Sequence, residues 1–131
     1  MNKHIQKLLK KKLAFVGSVS GSEPFIKCMT ISGREGNVFY FDSNNSSVRT
    51  AQWKENPNAC IYFYGKPIYR GVMLSGTMEI INDRELKEAH WKPFMKATYK
   101  GGVTDPDYCI LRFIAQKGRY YCMYQSEDFM F

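Results

Sequence analysis

Histidine is scarce in this 131-residue chain, His4 and His90 being the only two, and the four cysteines Cys28, Cys60, Cys109 and Cys122 form no C-x-x-C pair. A zinc cluster needs several such ligands at close spacing, and a Ser/His/Asp triad needs a suitably partnered histidine. Neither pattern is present, so no metal site is expected. The cysteines lie in apolar, strand-like surroundings and are expected to be reduced core thiols rather than disulfides. No apolar run approaches the roughly 20 residues that span a bilayer. Leu13 to Val19 contains Gly17 and Ser18 and runs on into domain-like sequence, unlike a secretory signal. The sequence therefore reads as a soluble, unprocessed protein of the cytoplasm with no membrane partner.

What is abundant is positive charge and aromatic surface. Lys and Arg total 19 against 12 Asp and Glu, giving a formal charge of +7, which favours anionic ligands. The excess is uneven, with Lys3, Lys7, Lys10, Lys11 and Lys12 in the first dozen residues. A helix over about 1–12 would put Ile5, Leu8, Leu9 and Leu13 on one side and lysines around the rest, as for a solvated basic helix lying on a domain. The chain length fits one domain, 1–131, with one core.

Short β-prone runs dominate the remainder. Leu13 to Val19 and Phe25 to Ile31 flank the turn Ser20-Gly21-Ser22-Glu23-Pro24 and read as a hairpin. A third strand, Val38 to Phe41, follows the turn Gly33 to Asn37. A short helix begins near Ser47 and must stop by Asn56, because Pro57 disfavours helical backbone in the residue before it. Ala59 to Tyr64 reads as a central strand closed by Gly65-Lys66-Pro67. Tyr69 to Ile81 reads as a bent strand, with Gly71 and Gly76 as places for a bulge or close approach. Asn82-Asp83-Arg84-Glu85 resembles a capping box for a helix that Pro93 ends. Tyr108 to Ala115 and Arg119 to Tyr124 are the last strands, separated by a turn at Gln116-Lys117-Gly118. The apolar tail Phe129-Met130-Phe131 is expected to fold back on the core or pack on a second subunit. About seven strands with two or three helices predict a mainly β fold, a small barrel.

The most informative stretch is Asp42-Ser43-Asn44-Asn45-Ser46-Ser47-Val48-Arg49, a strand end, a hydroxyl-rich loop and a helix start carrying a fixed cation. Backbone N–H groups at a helix start, hydroxyls and an arginine together make a phosphate seat. The plainer alternative is that Ser46 or Ser47 caps the helix and Arg49 is a solvated surface residue. Trp53 and Trp91 read as packing or interface residues, and His90 as a surface or interface histidine.

The order strand, turn, strand, Val38-Phe39-Tyr40-Phe41, serine loop with a cation, Asn56-Pro57-Asn58 and aromatic strand resembles the pyridoxamine 5′-phosphate oxidase-like family. More narrowly it is similar to the small general-stress-protein branch of the FMN-binding split barrels. Tyr69 to Met78 resembles that family's long barrel strand, and Tyr99 to Asp107 with Ile110-Leu111-Arg112-Phe113 its closing segment. The resemblance implies a homodimer with FMN held between subunits, deazaflavin and haem being cofactors of related barrels. It implies phosphate contacts from Lys27, Ser47 and Arg49, with Ser43 near the ring and ribityl chain. The ring is expected against the backbone of Cys28 and Met29 and the strand end at Asp42.

Four departures bear on activity. Asp42 stands where the oxidases more often carry an aromatic residue, Ser32 where they carry a substrate-binding lysine, and Gly71 where they carry a glutamine. The basic C-terminal segment of the oxidases has no counterpart before Phe131. Oxidation of pyridoxamine 5′-phosphate is therefore not expected. No general acid or base stands out, so catalytic residues are left unassigned, which suits a reaction performed by a flavin. The reading is a flavoprotein oxidoreductase acting on a small molecule with NADH, NADPH or another donor. The alternatives are a non-catalytic flavin carrier or stress-related protein, and a basic barrel binding nucleic acid through its lysines and tyrosines.

Overall fold

The computed structural model describes residues 1–66 and 69–131. Its elements are α1 (Lys3–Leu8), β1 (Leu13–Ser20), β2 (Glu23–Glu35), β3 (Val38–Asn44), α2 (Val48–Glu55), β4 (Asn58–Gly65), β5 (Arg70–Ile81), α3 (Arg84–His90), β6 (Tyr108–Cys122) and β7 (Gln125–Met130), with 3-10 turns at Pro93–Ala97 and Gly102–Thr104. The sheet runs β3-β2-β1-β4-β5-β6-β7, and β3 also pairs with β6, which closes six strands into an antiparallel barrel. The mainly β barrel expected from the sequence is the fold observed.

Alternation of side chains along each strand fills the barrel. Phe39 and Phe41 of β3, Ile61 and Phe63 of β4, Val72 and Leu74 of β5, and Leu111 and Phe113 of β6 are buried in one cluster. At one end Ile5 and Leu8 of α1, with Leu9 just after it, plug the core, while at the other Trp53 of α2 packs into it. α1 is shorter than the 1–12 expected, and Leu13 begins β1 with its side chain exposed rather than joining the apolar face of the helix. A second cluster lies outside the barrel, where Met95, Tyr99, Tyr108 and Ile110 pack with Tyr40, Leu86 and Trp91 beneath α3.

The helix ends follow from local chemistry. Ser47 caps α2 by accepting from Thr50 N, and the helix stops at Asn56 before Pro57, as the sequence requires. Asp83 caps α3 by accepting from Leu86 N. In β5 the register shifts between Ser75 and Gly76, and a Cβ on Gly76 would lie 1.9 Å from the Ile114 carbonyl oxygen, so only glycine lets the strands approach there.

Three expectations are corrected, and the tail folds back on the core as one of its two alternatives had it. Gln116-Lys117-Gly118 is not a turn: β6 is continuous from Tyr108 to Cys122, and the chain reverses at Met123 and Tyr124. The tail therefore forms β7, pairing Gln125 to Met130 with Cys122 to Lys117, and Phe129 lies over Gly118. β2 continues to Glu35, through a bulge between Ile31 and Gly33, rather than ending at Ile31. The cysteines are all free, but Cys28 is exposed and only Cys109 is buried. The turn expected at Gly65-Lys66-Pro67 lies partly outside the described residues, since Pro67 is not among them.

β2 is where the barrel splits. Its residues 23–30 pair with β1, whereas β3 joins its other edge only from Ile31 to Glu35. β3 pairs with β6 along its whole length, so beyond Phe41 its last residues have β6 alone as a neighbour, and α2 packs on β1 and β5 at the mouth of the resulting fork. Asn37 marks the other side of the seam. Its side-chain Nδ2 donates to the Ala115 carbonyl at 2.8 Å while its own carbonyl accepts from Ala115 N at 2.9 Å.

Candidate functional site

The loop from β3 into α2 is tied down by a residue far along the chain. Ser46 N and Ser46 Oγ donate to the Asp107 carboxylate at 2.8 and 3.0 Å, and Asn44 Nδ2 donates to it at 3.0 Å. Asn45 N donates to the Asp107 carbonyl at 2.7 Å. The bonds from Asn44 and Ser46 hold the Asp107 carboxyl below the usual carboxylate range. An anion thus already occupies part of the hydroxyl-rich loop, and the donors of Asn45 and Ser46 are engaged within the protein.

Ser47 is engaged as well. Thr50 Oγ1 donates its one proton to the Asn44 carbonyl at 2.8 Å, so in the 2.7 Å contact between the two hydroxyls Ser47 is the donor, while Ser47 Oγ also accepts from Thr50 N at 3.1 Å. Capping is therefore what Ser47 does here, and it can bond a ligand only by redirecting that proton. Arg49 differs: it is half-buried, and its Nε is fully buried with no hydrogen-bond partner. The amides of Val48 and Arg49, in the first turn of α2, have no intrahelical acceptor.

Lys27 joins this side by register. In β1 and β2 the pairs Ala14↔Met29, Val16↔Lys27 and Ser18↔Phe25 share one face, the one on which Ser18 Oγ donates to Gln52 Oε1 of α2 at 2.7 Å. Lys27 is exposed and Met29 half-buried on that face, whereas Cys28 turns its thiol to the opposite face with Phe15. The backbone of Cys28 and Met29 forms part of the β2 edge that β3 does not pair.

Asp42 and Ser43 do not converge. Ser43 faces inward with Phe41 and is buried opposite Cys109, whose thiol burial pushes up to about 11. Asp42 faces outward toward α3, where burial raises its carboxyl to about 6 against the opposing pull of Lys92, and Oδ1 is buried without a partner. Around it, Tyr99 is pushed to about 12 and Tyr108 upward, by burial first and then by the Asp42 charge. His90 stacks on Tyr40 with ring centroids 4.6 Å apart, and burial lowers its pKa. Ser32, on the bulge, has a buried hydroxyl without a partner.

The donor set at α2 fits a phosphate: a guanidinium with an orphaned buried nitrogen, two open amides and a lysine on the same face. The expected ring contacts are split between two faces. Sequence reasoning missed Asp107 as the clamp of the loop. Its signal was the Asp105-Pro106-Asp107 run immediately before a strand, but the partner strand lies elsewhere in the chain. Among the described residues no helix is long and apolar enough to cross a membrane, and no group of three or more His, Cys, Asp or Glu is placed to hold a metal.

Comparison with known proteins gives a consistent answer. A protein related to general stress protein 26 from Clostridium acetobutylicum, of the pyridoxinephosphate oxidase family, superposes with a TM-score of 0.83 at 33% identity, over 95% of this chain and 90% of that one. A haem-binding protein from Mycobacterium smegmatis shares the fold at a TM-score of 0.72 and 14% identity, covering 98% of this chain and 55% of the other. Protein bli-3 of Neurospora crassa is 28% identical over 96 residues, 66% of this chain and 46% of that protein, so the match spans about half of that relative. The family described as Pyridoxamine 5′-phosphate oxidase like matches residues 1–130, and the chain belongs to that family.

Proposed function

We propose that the protein is an FMN-binding oxidoreductase of the cytoplasm, working as a homodimer on a small molecule with NADH or NADPH as donor. The observation that carries the reading is Arg49, whose buried and unpartnered Nε sits at the start of α2 beside two open amides. Burying a guanidinium nitrogen without an acceptor is costly, and a phosphate supplies the missing charge-assisted bond. Lys27 adds a second cation, and the unpaired β2 edge at Cys28 and Met29 offers backbone groups to a flat polar ring. A bound flavin would supply the hydride transfer. The chain's own part is to hold the phosphate, to present the β2 edge and to exclude water.

Assembly as a dimer is supported by the open half of β2, where Phe25 and Ile26 are 40% and 73% exposed and border an apolar cleft of about 450 Å³ with Gly17, Val19, Pro24 and Cys60. An apolar surface of this kind, rimmed by polar residues, is what a second subunit covers. Exposed Cys28 suits a reducing compartment. Ser32 and Gly71 argue against pyridoxamine 5′-phosphate as substrate: the Ser32 hydroxyl is buried, and a Cβ on Gly71 would lie 2.1 Å from the Tyr62 hydroxyl oxygen, leaving no room for a glutamine there.

The absorption spectrum of the purified protein tests the cofactor. A flavin spectrum with FMN released on denaturation is expected; a Soret band, a deazaflavin spectrum or failure to take up added FMN would overturn it. Bleaching by NADH or NADPH with reoxidation by an acceptor separates an enzyme from a carrier. Arg49→Ala should weaken FMN by about 1.5 to 3 kcal/mol while barely affecting riboflavin. Equal losses for both would remove Arg49 from the phosphate site.

A further inference from the structure

A second concentration of cations lies at the far end of the barrel from α2. β4 starts at Asn58, just beyond α2, and ends at Gly65, where Leu8 of α1 packs against it. Between α1 and the facing ends of β4 and β5 is a cavity of about 460 Å³, bounded by His4, Lys7, Lys11, Tyr64, Lys66 and Arg70. Its remaining lining, Leu8 and Gly65, carries no charge, so no described carboxylate faces it.

Arg70 stands apart from the other arginines for which an ion pair is seen. Arg112 pairs with Glu79 at 2.8 Å and Arg84 with Glu88 at 3.0 Å. Arg70 Nη1 instead lies 3.3 Å from His4 Nδ1, Nη2 donates to Cys122 Sγ at 3.7 Å, and Nε is buried with no partner. Arg70 first, then burial, Lys3 and Lys7 hold His4 below the ordinary imidazole range, and the bond to Cys122 is the first of the causes that favour the charge on Arg70. The Cys122 thiol is lowered by Arg70 and then by Tyr120.

Lysines on a helix are ordinarily solvated, and a run of them alone identifies no ligand. Here they converge with an arginine on one concave volume that falls in the size range of small-ligand sites. Tyr64, 47% exposed, gives the cavity an aromatic wall. We propose that this cavity binds a small phosphorylated anion of nucleotide size carrying two or more negative charges, held by Arg70, Lys7, Lys11 and Lys66 with its apolar part against Tyr64. A guanidinium takes two phosphate oxygens at once, and the lysines supply point charges around it. The anion would give the buried Arg70 Nε the acceptor it lacks. A cavity with converging cations favours a compact ligand over a nucleic-acid strand, which needs charges spaced along a groove.

The test titrates the full chain with tripolyphosphate and with ADP at fixed ionic strength, with and without FMN, by calorimetry. One saturable site per chain is expected. With FMN saturating, Arg70→Gln, and separately the exposed pair Lys7→Gln with Lys11→Gln, should weaken both probes tenfold or more, while Arg84→Gln on α3 leaves them unchanged. Occupancy should also slow iodoacetamide alkylation of Cys122, mapped by mass spectrometry, several-fold at pH 7.5, because the anion takes Arg70 from the thiolate. Four results would overturn the proposal: no saturable binding of either probe; displacement by FMN, which would assign the cavity to the flavin; an equal loss from remote Lys96→Gln, which would mean diffuse surface charge; or tighter binding of a single-stranded oligonucleotide dependent on the same residues. Apart from displacement by FMN, these outcomes stand whether or not the protein binds the flavin.

Discussion

β6 and the first half of β2 are both long antiparallel segments of one barrel, and they meet opposite fates. β6 pairs with β5 along nearly its whole length and with β3 and then β7 on its other edge, and Tyr108 to Leu111 are all 0% exposed. Residues 23–30 of β2 pair on one edge only, and all but Met29 are exposed. The contrast separates what the barrel needs to exist from what it keeps available. Closure is completed through β6, leaving β2 an open edge beside the cation of α2.

The largest effect should come from attacking the closed half. Gly76→Ala drives a Cβ into the Ile114 carbonyl and the Ala115 Cα, which are backbone and cannot rotate away. A loss of about 3 kcal/mol or more is expected in urea unfolding. A loss below about 1 kcal/mol would show that the β5–β6 bulge is more adaptable than its contacts indicate.

The open half should behave in the reverse way. Ile26→Asp, at a 73% exposed position, should leave the stability of dilute protein within about 0.5 kcal/mol. It should weaken dimerisation by about 2 kcal/mol or more, measured by light scattering across a concentration series. An unchanged dimer would place the interface elsewhere.

Asp42 sits on β3, the strand that serves both halves. Its folded carboxyl titrates near 6 against 3.8 for the ordinary group, so the folded state holds the proton more tightly. Stability from this group therefore rises as pH falls from about 6 toward 4, and a penalty is present in full above 6. Asp42→Asn should stabilise the protein at pH 7.5 by about 1 kcal/mol after allowing for its partial exposure, and the gain should vanish below pH 4. A pH-independent gain would remove burial of the charge as its cause. The smallest effect should be at Arg84→Ala, which breaks an exposed i,i+4 pair outside both halves and should cost at most about 0.5 kcal/mol in the same urea assay.

Elements whose cause is local were legible in the sequence. Pro57 stops α2, Asp83 caps α3, and alternating residues mark the inner face of β3. The continuity of β6 was not legible, because Gln116-Lys117-Gly118 has turn composition while its strand conformation comes from β5 and β7 on either side. Gly118 serves instead to admit Phe129, and the real reversal uses Met123 at φ 58°, with no glycine to announce it. The placement of Arg49 in the first turn of a helix was legible, its ligand role being the proposal above, and Ser47 proved to be the cap that the plainer alternative described. Asp42 and Ser43 are neighbours in a strand and so face opposite sides, a period-two fact that outranks the motif they share. The Asp107 clamp acts from 61 residues away, so the Asp105-Pro106-Asp107 run does not by itself name the loop it holds.

The β7 and β2 edges also differ in how they meet other molecules. A strand without a neighbour is a template for uncontrolled pairing unless something discourages it. β7, last in the sheet, carries Glu127 and Asp128, whose charges repel another copy of the same strand. β2 has Pro24, which offers no N–H, and Lys27, but between and beside them lie Phe25 and Ile26, which invite contact. One edge thus repels its own kind while the other carries only partial protection. If the proposed second subunit covers β2, its loss would expose Phe25 and Ile26 on an open edge, an identifiable nucleus for aggregation.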